Sequence, residues 1–326
     1  MHILVIGAAG MVGRKLVERL ARDGALGGRP IERATLHDLF EPQVPPDPPF
    51  QARTLSSDFS EPGEAEKLVA ERPDVIFHLA AIVSGEAEAD FDKGYRINLD
   101  GTRFLFEAIR KHEGYKPRVV FTSSIAVFGA PFPDAIHDEF LSAPLTSYGT
   151  QKAIGELLLS DYSRRGFFDG VGIRLPTICV RPGKPNKAAS GFFSNIIREP
   201  LAGHEAVLPV SEDVRHWHAS PRAAVGFLIH AATLDTERVG PRRALTMPGV
   251  AATVGEQIDA LRRIAGDKVV ARIRREPDPV ITRIVAGWPR NFDARRAREL
   301  GFRAEDSFDE IVRIHIDDEL GGEWAA

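Results

Sequence analysis

The sequence predicts an α/β protein built on a doubly wound parallel sheet. Short apolar runs alternate with amphipathic helical segments through the first half of the chain, which is typical of βαβ units. The first run, residues 3–6, passes directly into a glycine-rich turn and a helical pattern over residues 11–23. The length of 326 residues exceeds one minimal α/β domain, so we also expect a second, smaller domain.

The same alternation predicts the remaining elements in order. Further strands are expected over residues 33–37, 74–79, 118–123 and 171–178. Further helices are expected over residues 61–71, 87–112 and 148–165. The proline-rich segment 41–49 cannot sustain regular hydrogen bonding and is predicted to be a surface loop. After residue 180 proline and glycine become more frequent, which favours loops with short helices over 182–215, and helical patterning returns over 292–318.

The charge balance bears on the partners of the chain. It has 42 Lys and Arg residues against 46 Asp and Glu, a formal net charge of −4 and a pI near 6.2. There is no basic surplus for nucleic acid phosphates or anionic membranes, so neither is expected as a partner. No apolar run approaches the ~18 residues of a spanning helix. The apolar N-terminus runs into the glycine turn and lacks a basic segment, so it is interpreted as a strand, and we expect a cytoplasmic location.

Cys179 is the only cysteine of the sequence. One thiol can form neither an intrachain disulfide nor a multi-cysteine metal site, and no metal is predicted. Because its neighbours are apolar, we expect a buried thiol in a strand.

A glycine-rich turn lies between the first strand and the first helix. Its spacing is G-x-x-G-x-x-G, and it reads Gly7-Ala8-Ala9-Gly10-Met11-Val12-Gly13. Glycines let the backbone turn tightly and approach a pyrophosphate, whose charge is stabilised at a helix N-terminus. The turn therefore predicts a Rossmann dinucleotide-binding domain, with a bare structural turn as the alternative. The expected cofactor contacts in this turn are Gly7, Gly10, Met11, Val12 and Gly13.

Further cofactor contacts are expected where the next strands end. Asp38 ends the second strand, where a carboxylate binds the adenosine ribose hydroxyls and repels a 2′-phosphate; this favours NAD over NADP, and a turn-forming aspartate is the alternative. Asp58 precedes the next helix and is interpreted either as an adenine contact or as a plain helix cap. Leu79, Ala80 and Ala81 follow a buried strand, where small side chains leave room for a cofactor.

Three side chains predict the chemistry. Ser124 ends a strand, and Tyr148 and Lys152 are four residues apart, so on a helix they share one face. An ammonium ~4 Å from a phenol is worth ~4 kcal/mol at an effective dielectric constant of ~20. This is enough in principle to bring the pKa of Tyr148 towards neutrality, although desolvation opposes the shift and the positive nicotinamide of NAD⁺ assists it. A tyrosine tuned in this way is a general base for an alcohol proton. Ser124 would hold the substrate oxygen.

Together these motifs resemble the extended short-chain dehydrogenases, the NAD-dependent epimerase/dehydratase family. The resemblance covers residues 1 to about 240 and includes Arg-Ile-Asn-Leu-Asp-Gly-Thr at 96–102. It implies that Tyr148 and Lys152 form the proton-transfer pair and that Ser124 binds the substrate. It further implies that Asn98 braces the active-site helix and that Pro176 and Thr177 touch the nicotinamide end of the cofactor. Family members often form homodimers through two long helices.

Within the family, four segments are similar to members that oxidise the C2 hydroxyl of a four-carbon sugar acid with NAD⁺. These segments are residues 83–92, 148–156, 174–177 and 180–186. Nucleotide-sugar epimerases instead carry an asparagine after the seventh strand and an Arg-Asp-Tyr-x-His-Val segment. Here the corresponding places read Pro176-Thr177 and Arg215-His216-Trp217-His218-Ala219-Ser220. A nucleotide-sugar epimerase or reductase is one alternative, and a non-catalytic NAD-sensing regulator is another.

A small acid substrate needs its carboxylate held, and arginine does this with paired hydrogen bonds. The candidates are Arg174, Arg181 and Arg215, with the last two favoured and a structural ion pair as the alternative. Ser84 follows the fourth strand, where it could reach a substrate hydroxyl. We expect the NAD domain over residues 1–180, with a returning segment near 216–240. The smaller substrate domain is expected over 181–215 and 241–326.

Overall fold

The computed structural model describes residues 1–183 and 189–325 and is organised around one seven-stranded sheet. Its strands, β1 to β7, are His2–Ile6, Arg33–Asp38, Gln51–Ser56, Val75–His78, Arg118–Ser124, Asp169–Leu175 and Ala244–Thr246. They lie in the order β7-β6-β5-β4-β1-β2-β3, and every neighbouring pair is parallel. The chain thus winds outwards from β1 in both directions, which leaves a crevice at the carboxyl ends of the central strands. The predicted doubly wound parallel sheet is confirmed.

Helices cover both faces of this sheet. The α-helices of the described chain are Met11–Asp23, Glu64–Val69, Ser84–Ala89, Phe91–Gly94, Gly101–Lys111, Ser147–Arg164, Gly191–Leu201, Pro221–Thr233, Val254–Ala265, Asp267–Val270, Pro279–Ala286, Arg295–Glu299 and Phe308–Leu320. A π-helical turn spans Tyr95–Asp100 and a 3-10 turn spans Ile125–Val127. None of the helices in 1–183 and 189–325 is both long and apolar enough to span a bilayer.

Four smaller sheets accompany the main sheet in the described residues. The strand Arg215–Ala219 pairs parallel with Thr177–Ile178 and antiparallel with Val250–Thr253. The two-stranded pairs are Ala206–Leu208 with Ile273–Arg275, Ile136–His137 with Phe292–Asp293, and Ala25–Leu26 with Arg29–Pro30.

The buried apolar residues form separate clusters. One face of the main sheet packs Leu16 and Leu20 against Phe227, and the other packs Phe106 against Phe121. A further cluster lies beyond residue 178 and joins three helices through the residues Phe193, Ile258 and Ile311.

Two segments depart from the predicted domain boundaries. Ala244–Thr246 was expected in the smaller domain, but it is the edge strand of the main sheet and pairs with Gly172–Arg174. The strand Arg215–Ala219 overlaps the start of the predicted returning segment, but it pairs within the small three-stranded sheet. The rest of that segment, Pro221–Thr233, packs on the main sheet. The division near residue 180 otherwise stays a prediction.

Three predicted elements are wrong in detail. The long helix over 87–112 is broken at Asp90, whose side chain accepts the backbone N–H of Lys93 and starts a new helix there. The strand over 171–178 is interrupted at Pro176, which has no N–H for a sheet ladder. The helical pattern over 292–318 begins with the short strand Phe292–Asp293.

Candidate active site

The glycine turn has the geometry that its spacing predicts. Gly7 has a φ of +96°, and a Cβ there would lie 2.7 Å from the backbone nitrogen of Ala80. A Cβ on Gly13 would lie 2.1 Å from the Gly7 carbonyl oxygen. Any larger residue would separate the turn from the first helix or from the end of β4. The backbone N–H groups of Gly7 and Ala8 both donate to the carbonyl of His37, which ties the turn to β2.

The helix that follows the turn presents an anion-binding end. Helix Met11–Asp23 begins at Gly10 without a side-chain cap and has no acidic residue in its first turn. The first N–H groups of a helix have no intrahelical partner, and the helix dipole adds positive potential there. These features fit the pyrophosphate of a dinucleotide, whose contacts at Met11 and Val12 stay a prediction.

Asp38 lies beside this turn, at the end of β2. Its Oδ2 accepts the backbone N–H of Ala9 at 2.9 Å, and its Oδ1 accepts that of Phe40 at 3.3 Å. The carboxylate is thus held at the mouth of the glycine turn, where a ribose hydroxyl of a cofactor could reach it. Asp58 is engaged locally, because it accepts the backbone N–H of Ser60 and pairs with Arg96 at 2.7 Å.

The segment after β4 lies against the glycine turn. The N–H groups of Leu79 and Ala80 both donate to the carbonyl of Ile6. Asn98, in the π-helical turn, accepts the N–H of Ile82 at 2.9 Å and donates to Gln151 on the helix Ser147–Arg164 at 2.8 Å. Asn98 therefore joins the loop containing Ala81 to the helix that carries Tyr148.

The end of β5 is joined to the helix Ser147–Arg164 by three successive residues. The Ser124 side chain lies close enough to the phenol of Tyr148 to oppose the effect of burial on its pKa. The carbonyl of Thr122 accepts from the Lys152 ammonium at 2.8 Å. Between these two residues, the hydroxyl of Ser123 donates to the carboxylate of Glu156. Positions 148, 152 and 156 repeat every fourth residue, so their side chains share the helix face that packs on β5.

Tyr148 and Lys152 thus lie on one helix face, with the Lys152 nitrogen 5.8 Å from the centre of the Tyr148 ring. The expected effect on the phenol is wrong, however. Burial raises the pKa of Tyr148 to about 12, while the Ser124 hydrogen bond and the charge of Arg181 oppose that rise. Desolvation exceeds these effects because the ammonium is directed to the Thr122 carbonyl rather than to the phenol oxygen.

The Lys152 ammonium is itself destabilised. Burial lowers its pKa to about 7, and the negative charge of Glu156 partly counters this. His78, from β4, is buried and neutral, since burial and the charge of Lys152 lower its pKa to about 3. Its Nε2 lies 2.8 Å from the hydroxyl oxygen of Thr102.

Thr177 has a partner that the sequence did not identify. The Nε2 of His216 lies 2.7 Å from the Thr177 hydroxyl oxygen, and Nδ1 of the same ring lies 2.7 Å from the carbonyl of Pro289. Because Nδ1 must donate to the carbonyl, Nε2 is the acceptor and the hydroxyl of Thr177 is the donor. Burial lowers the pKa of His216 to about 4, which keeps the ring neutral. His216 fixes the hydroxyl beside the buried Pro176.

Arg181 is a desolvated cation near the phenol of Tyr148. Its Nε donates to the carbonyl of Ile178 at 3.1 Å and its Nη2 to the hydroxyl of Ser190 at 2.7 Å. Burial lowers its pKa, and the described residues supply no carboxylate within ion-pair distance. A half-buried guanidinium without an acidic partner is suited to bind an anion. Residues 184–186, the end of a segment singled out by its resemblance to sugar-acid dehydrogenases, lie outside the described residues.

The other two arginine candidates are already engaged. Arg174 is buried and forms a two-point pair with Glu156, at 2.9 and 2.8 Å. It is therefore a structural cation, and the prediction that it could bind the substrate carboxylate was wrong. Arg215 is partly exposed and pairs with Glu256 at 3.3 Å. Ser84, the candidate for a substrate hydroxyl, begins the helix Ser84–Ala89.

Comparisons with known proteins identify the family. The family model described as the NAD dependent epimerase/dehydratase family matches residues 3–232. A D-erythronate dehydrogenase from Cupriavidus necator is 48% identical over 322 residues, 98% of each chain. One from Haemophilus influenzae is 40% identical over 317 residues, 97% of this chain and 99% of its own.

Solved structures agree with the fold. A nucleoside-diphosphate-sugar epimerase from Agrobacterium tumefaciens is 71% identical with a TM-score of 0.97, over 99% of this chain and 95% of its own. The holo form of an L-threonine dehydrogenase from Cupriavidus necator, 22% identical, has a TM-score of 0.83 over 98% of this chain and 99% of its own, and it shows the fold alone. The chain therefore belongs to the NAD-dependent epimerase/dehydratase family, as its motifs predicted, and is an NAD-dependent oxidoreductase.

Proposed function

We propose that this enzyme oxidises the C2 hydroxyl of a small sugar acid, D-erythronate, to the 2-oxo acid. The observation that carries the proposal is the half-buried Arg181 cation, which has no acidic partner among the described residues and whose charge acts on the Tyr148 phenol; such a cation is suited to an acid substrate. The names of the full-length relatives from Cupriavidus necator and Haemophilus influenzae support the same substrate. Arg181 would bind the carboxylate and Ser124 the C2 oxygen.

Proton transfer is assigned to Tyr148. Ser124 donates a hydrogen bond to the C2 oxygen of the substrate. Tyr148 accepts the proton of the substrate's C2 hydroxyl as the C2–H bond breaks. Bound NAD⁺ supplies the hydride acceptor. Because burial raises the pKa of the phenol, the phenolate needs donors and positive charge around it. Arg181 and Lys152 are the groups of this chain that supply the positive charge, whereas the single Ser124 proton is directed to the substrate oxygen.

The cofactor contacts are proposed from the geometry of the turn. Gly10 and Gly13 would let the pyrophosphate approach the uncapped helix end, and Asp38 would accept the ribose hydroxyls. The ammonium of Lys152 and the hydroxyl of Thr177 would lie at the nicotinamide end. Ser84 and Arg215 stay predictions for the substrate, although the pair of Arg215 with Glu256 favours Arg181 for the carboxylate.

A nucleotide-sugar epimerase is the second candidate, because the Agrobacterium tumefaciens structure carries that name at 71% identity. The two activities differ in their balance of cofactor: a dehydrogenase reduces one added NAD⁺ per turnover, whereas an epimerase returns the hydride to the sugar. We therefore expect D-erythronate to produce NADH in the purified enzyme. UDP- and dTDP-sugars should produce none and should be recovered without epimerisation. Epimerisation without NADH formation from any sugar acid would overturn the proposal.

Assembly and location stay predictions. The homodimer implied by the family resemblance would use the helices Gly101–Lys111 and Ser147–Arg164. Leu157, on the second of these, leaves 71% of its surface exposed, which supports that choice of face. A cytoplasmic location rests on the sequence alone.

A further inference from the structure

Glu156 lies beneath the proposed catalytic residues. It is one helical turn beyond Lys152 and only 5% of its surface is exposed. Its Oε1 accepts from the Ser123 hydroxyl at 2.5 Å and from the Nε of Arg174 at 2.9 Å, and its Oε2 accepts from the Nη2 of Arg174 at 2.8 Å. The carboxylate thus contacts the residue before Ser124 and also lies on the helix face that carries Lys152.

Burial of the charged Glu156–Arg174 pair is unfavourable in free energy compared with apolar side chains in the same space. Two charges taken out of water cost several kcal/mol each before their attraction is counted, and apolar side chains of similar size often fill such space with equal or greater stability. Arg174 is also incompletely satisfied, because its buried Nη1 has no hydrogen-bond partner among the described residues and lies 3.6 Å from Asp138. Stability alone is therefore a weak reason for a charged pair at this position.

We propose that Glu156 is a positioning residue for the Ser124–Tyr148–Lys152 site, with two actions. Its hydrogen bond to Ser123 holds the end of β5 against the helix, and its negative charge keeps the Lys152 ammonium protonated. Arg174, on β6, orients the Glu156 carboxylate by donating a hydrogen bond to each of its two oxygens. This inference rests on the proposed function, because it assumes that the Lys152 ammonium takes part in proton transfer.

The ionisable groups around Lys152 determine in which direction its pKa should change when Glu156 is replaced. Tyr148 and Glu156 face it from its own helix, and neutral His78 faces it from β4. Arg174 lies behind Glu156. Among these groups Glu156 raises the pKa of Lys152 against the effect of burial. Removing the Glu156 charge should therefore move the loss of the ammonium to lower pH.

The test compares Glu156→Gln, which removes the charge and keeps the shape, with Glu156→Asp, which keeps the charge and shortens the side chain. The pH dependence of kcat/KM is measured with D-erythronate and NAD⁺. At alkaline pH kcat/KM falls as the Lys152 ammonium is lost, and this fall is the alkaline limb of the profile. In Glu156→Gln we expect the alkaline limb to lie about one to two pH units lower. In Glu156→Asp we expect a lower rate with the limb unmoved. A rate loss in both variants without displacement of the limb would overturn the role of the charge.

Two further variants keep the test decisive. If Glu156→Gln fails to fold because Arg174 is left unpaired, Glu156→Gln combined with Arg174→Gln removes both charges, and the limb should still move down. Glu107→Gln is the matched control, because this carboxylate pairs with Arg110 away from the site and its loss should leave the profile unchanged. An unmoved limb in the double variant would also overturn the inference.

A readout without substrate separates failure of this inference from failure of the proposed function. The free energy of unfolding is compared across about pH 6 to 10 for the wild type and Glu156→Gln, each with and without Lys152→Met. The Lys152-dependent part should move to lower pH in Glu156→Gln even if D-erythronate is not the substrate. If that part is the same in both backgrounds, Glu156 does not tune Lys152.

Discussion

The Lys152 ammonium donates to the carbonyl of Thr122 at 2.8 Å while lying 5.8 Å from the centre of the Tyr148 ring. The backbone of β5 therefore fixes the cation, and its distance from the phenol is set by the packing of the helix on the sheet. Burial disfavours the charged form of both groups: it raises the pKa of Tyr148 and lowers the pKa of Lys152. The proposed chemistry depends on overcoming that desolvation when substrate and cofactor bind.

Tyr148→Phe should remove most of the turnover and leave NADH affinity nearly unchanged. The variant keeps the ring and its packing but loses the oxygen that we propose as the proton acceptor, so we expect kcat to fall by about 10² to 10⁴. Steady-state kinetics and a fluorescence titration with NADH measure the two effects. Tyr162→Phe is the matched control, because this phenol is on the same helix but donates to Glu107. Turnover in Tyr148→Phe equal to that of the control would remove the tyrosine from the mechanism.

Asp38→Asn should weaken the preference for NAD⁺ over NADP⁺. The amide oxygen can still accept the N–H of Ala9, so the turn keeps its shape while the repulsion of a 2′-phosphate is lost. We expect the ratio of kcat/KM for NAD⁺ to that for NADP⁺ to fall at least about tenfold, the equivalent of ~1.4 kcal/mol. Kinetics with both cofactors measure this ratio. An unchanged ratio would argue against a ribose contact at Asp38.

Arg181→Gln should weaken substrate binding far more than Arg215→Gln. A charge-assisted hydrogen bond is worth about 1.5–3 kcal/mol, so KM for D-erythronate should rise by about 10- to 100-fold with the first substitution. Arg215 already pairs with Glu256, and its substitution should change KM by less than about threefold. The KM for NAD⁺ checks that neither variant disturbs the cofactor. The opposite ranking of the two arginines would assign the carboxylate to Arg215.

Lys152 should make the stability of the fold depend on pH. Its pKa is about 7 in the folded state and 10.5 as the reference value for an unfolded chain. Between these values the unfolded chain binds more protons than the folded chain, so the free energy of unfolding should rise with pH. The stability that the uncharged Lys152 contributes at high pH should be lost as the pH falls through about 7. Lys152→Met removes this contribution, on the order of 1–4 kcal/mol. Urea unfolding of both proteins across this window measures it, and parallel curves would contradict the lowered pKa.

The elements that position the site could be predicted because local sequence determines them. The glycine turn requires residues without a Cβ at Gly7 and Gly13, and this requirement is visible in their spacing. The four-residue interval between Tyr148 and Lys152 specifies a shared helix face in the same way. Both features depend on backbone geometry over a few residues, so the sequence alone was sufficient.

Contacts between distant segments could not be predicted in this way. Arg174 looked like a substrate ligand because its partner, Glu156, comes from another element. The pairing of Thr177 with His216 depends on a strand that returns 39 residues later. The break at Asp90 was missed because the apolar pattern continues through it, whereas the side-chain cap that ends one helix and starts the next is a local hydrogen bond. One signal for Glu156 was available, since it follows Lys152 at the same four-residue interval.

We propose that this site moves hydride from C2 of a small sugar acid to NAD⁺ while Tyr148 removes the hydroxyl proton. D-erythronate deuterated at C2 tests it most directly, with the nicotinamide product analysed by mass spectrometry. We expect one deuterium in each reduced nicotinamide and an equal amount of the 2-oxo acid. Reduced nicotinamide without deuterium, or recovery of the sugar acid with no reduced cofactor, would contradict it.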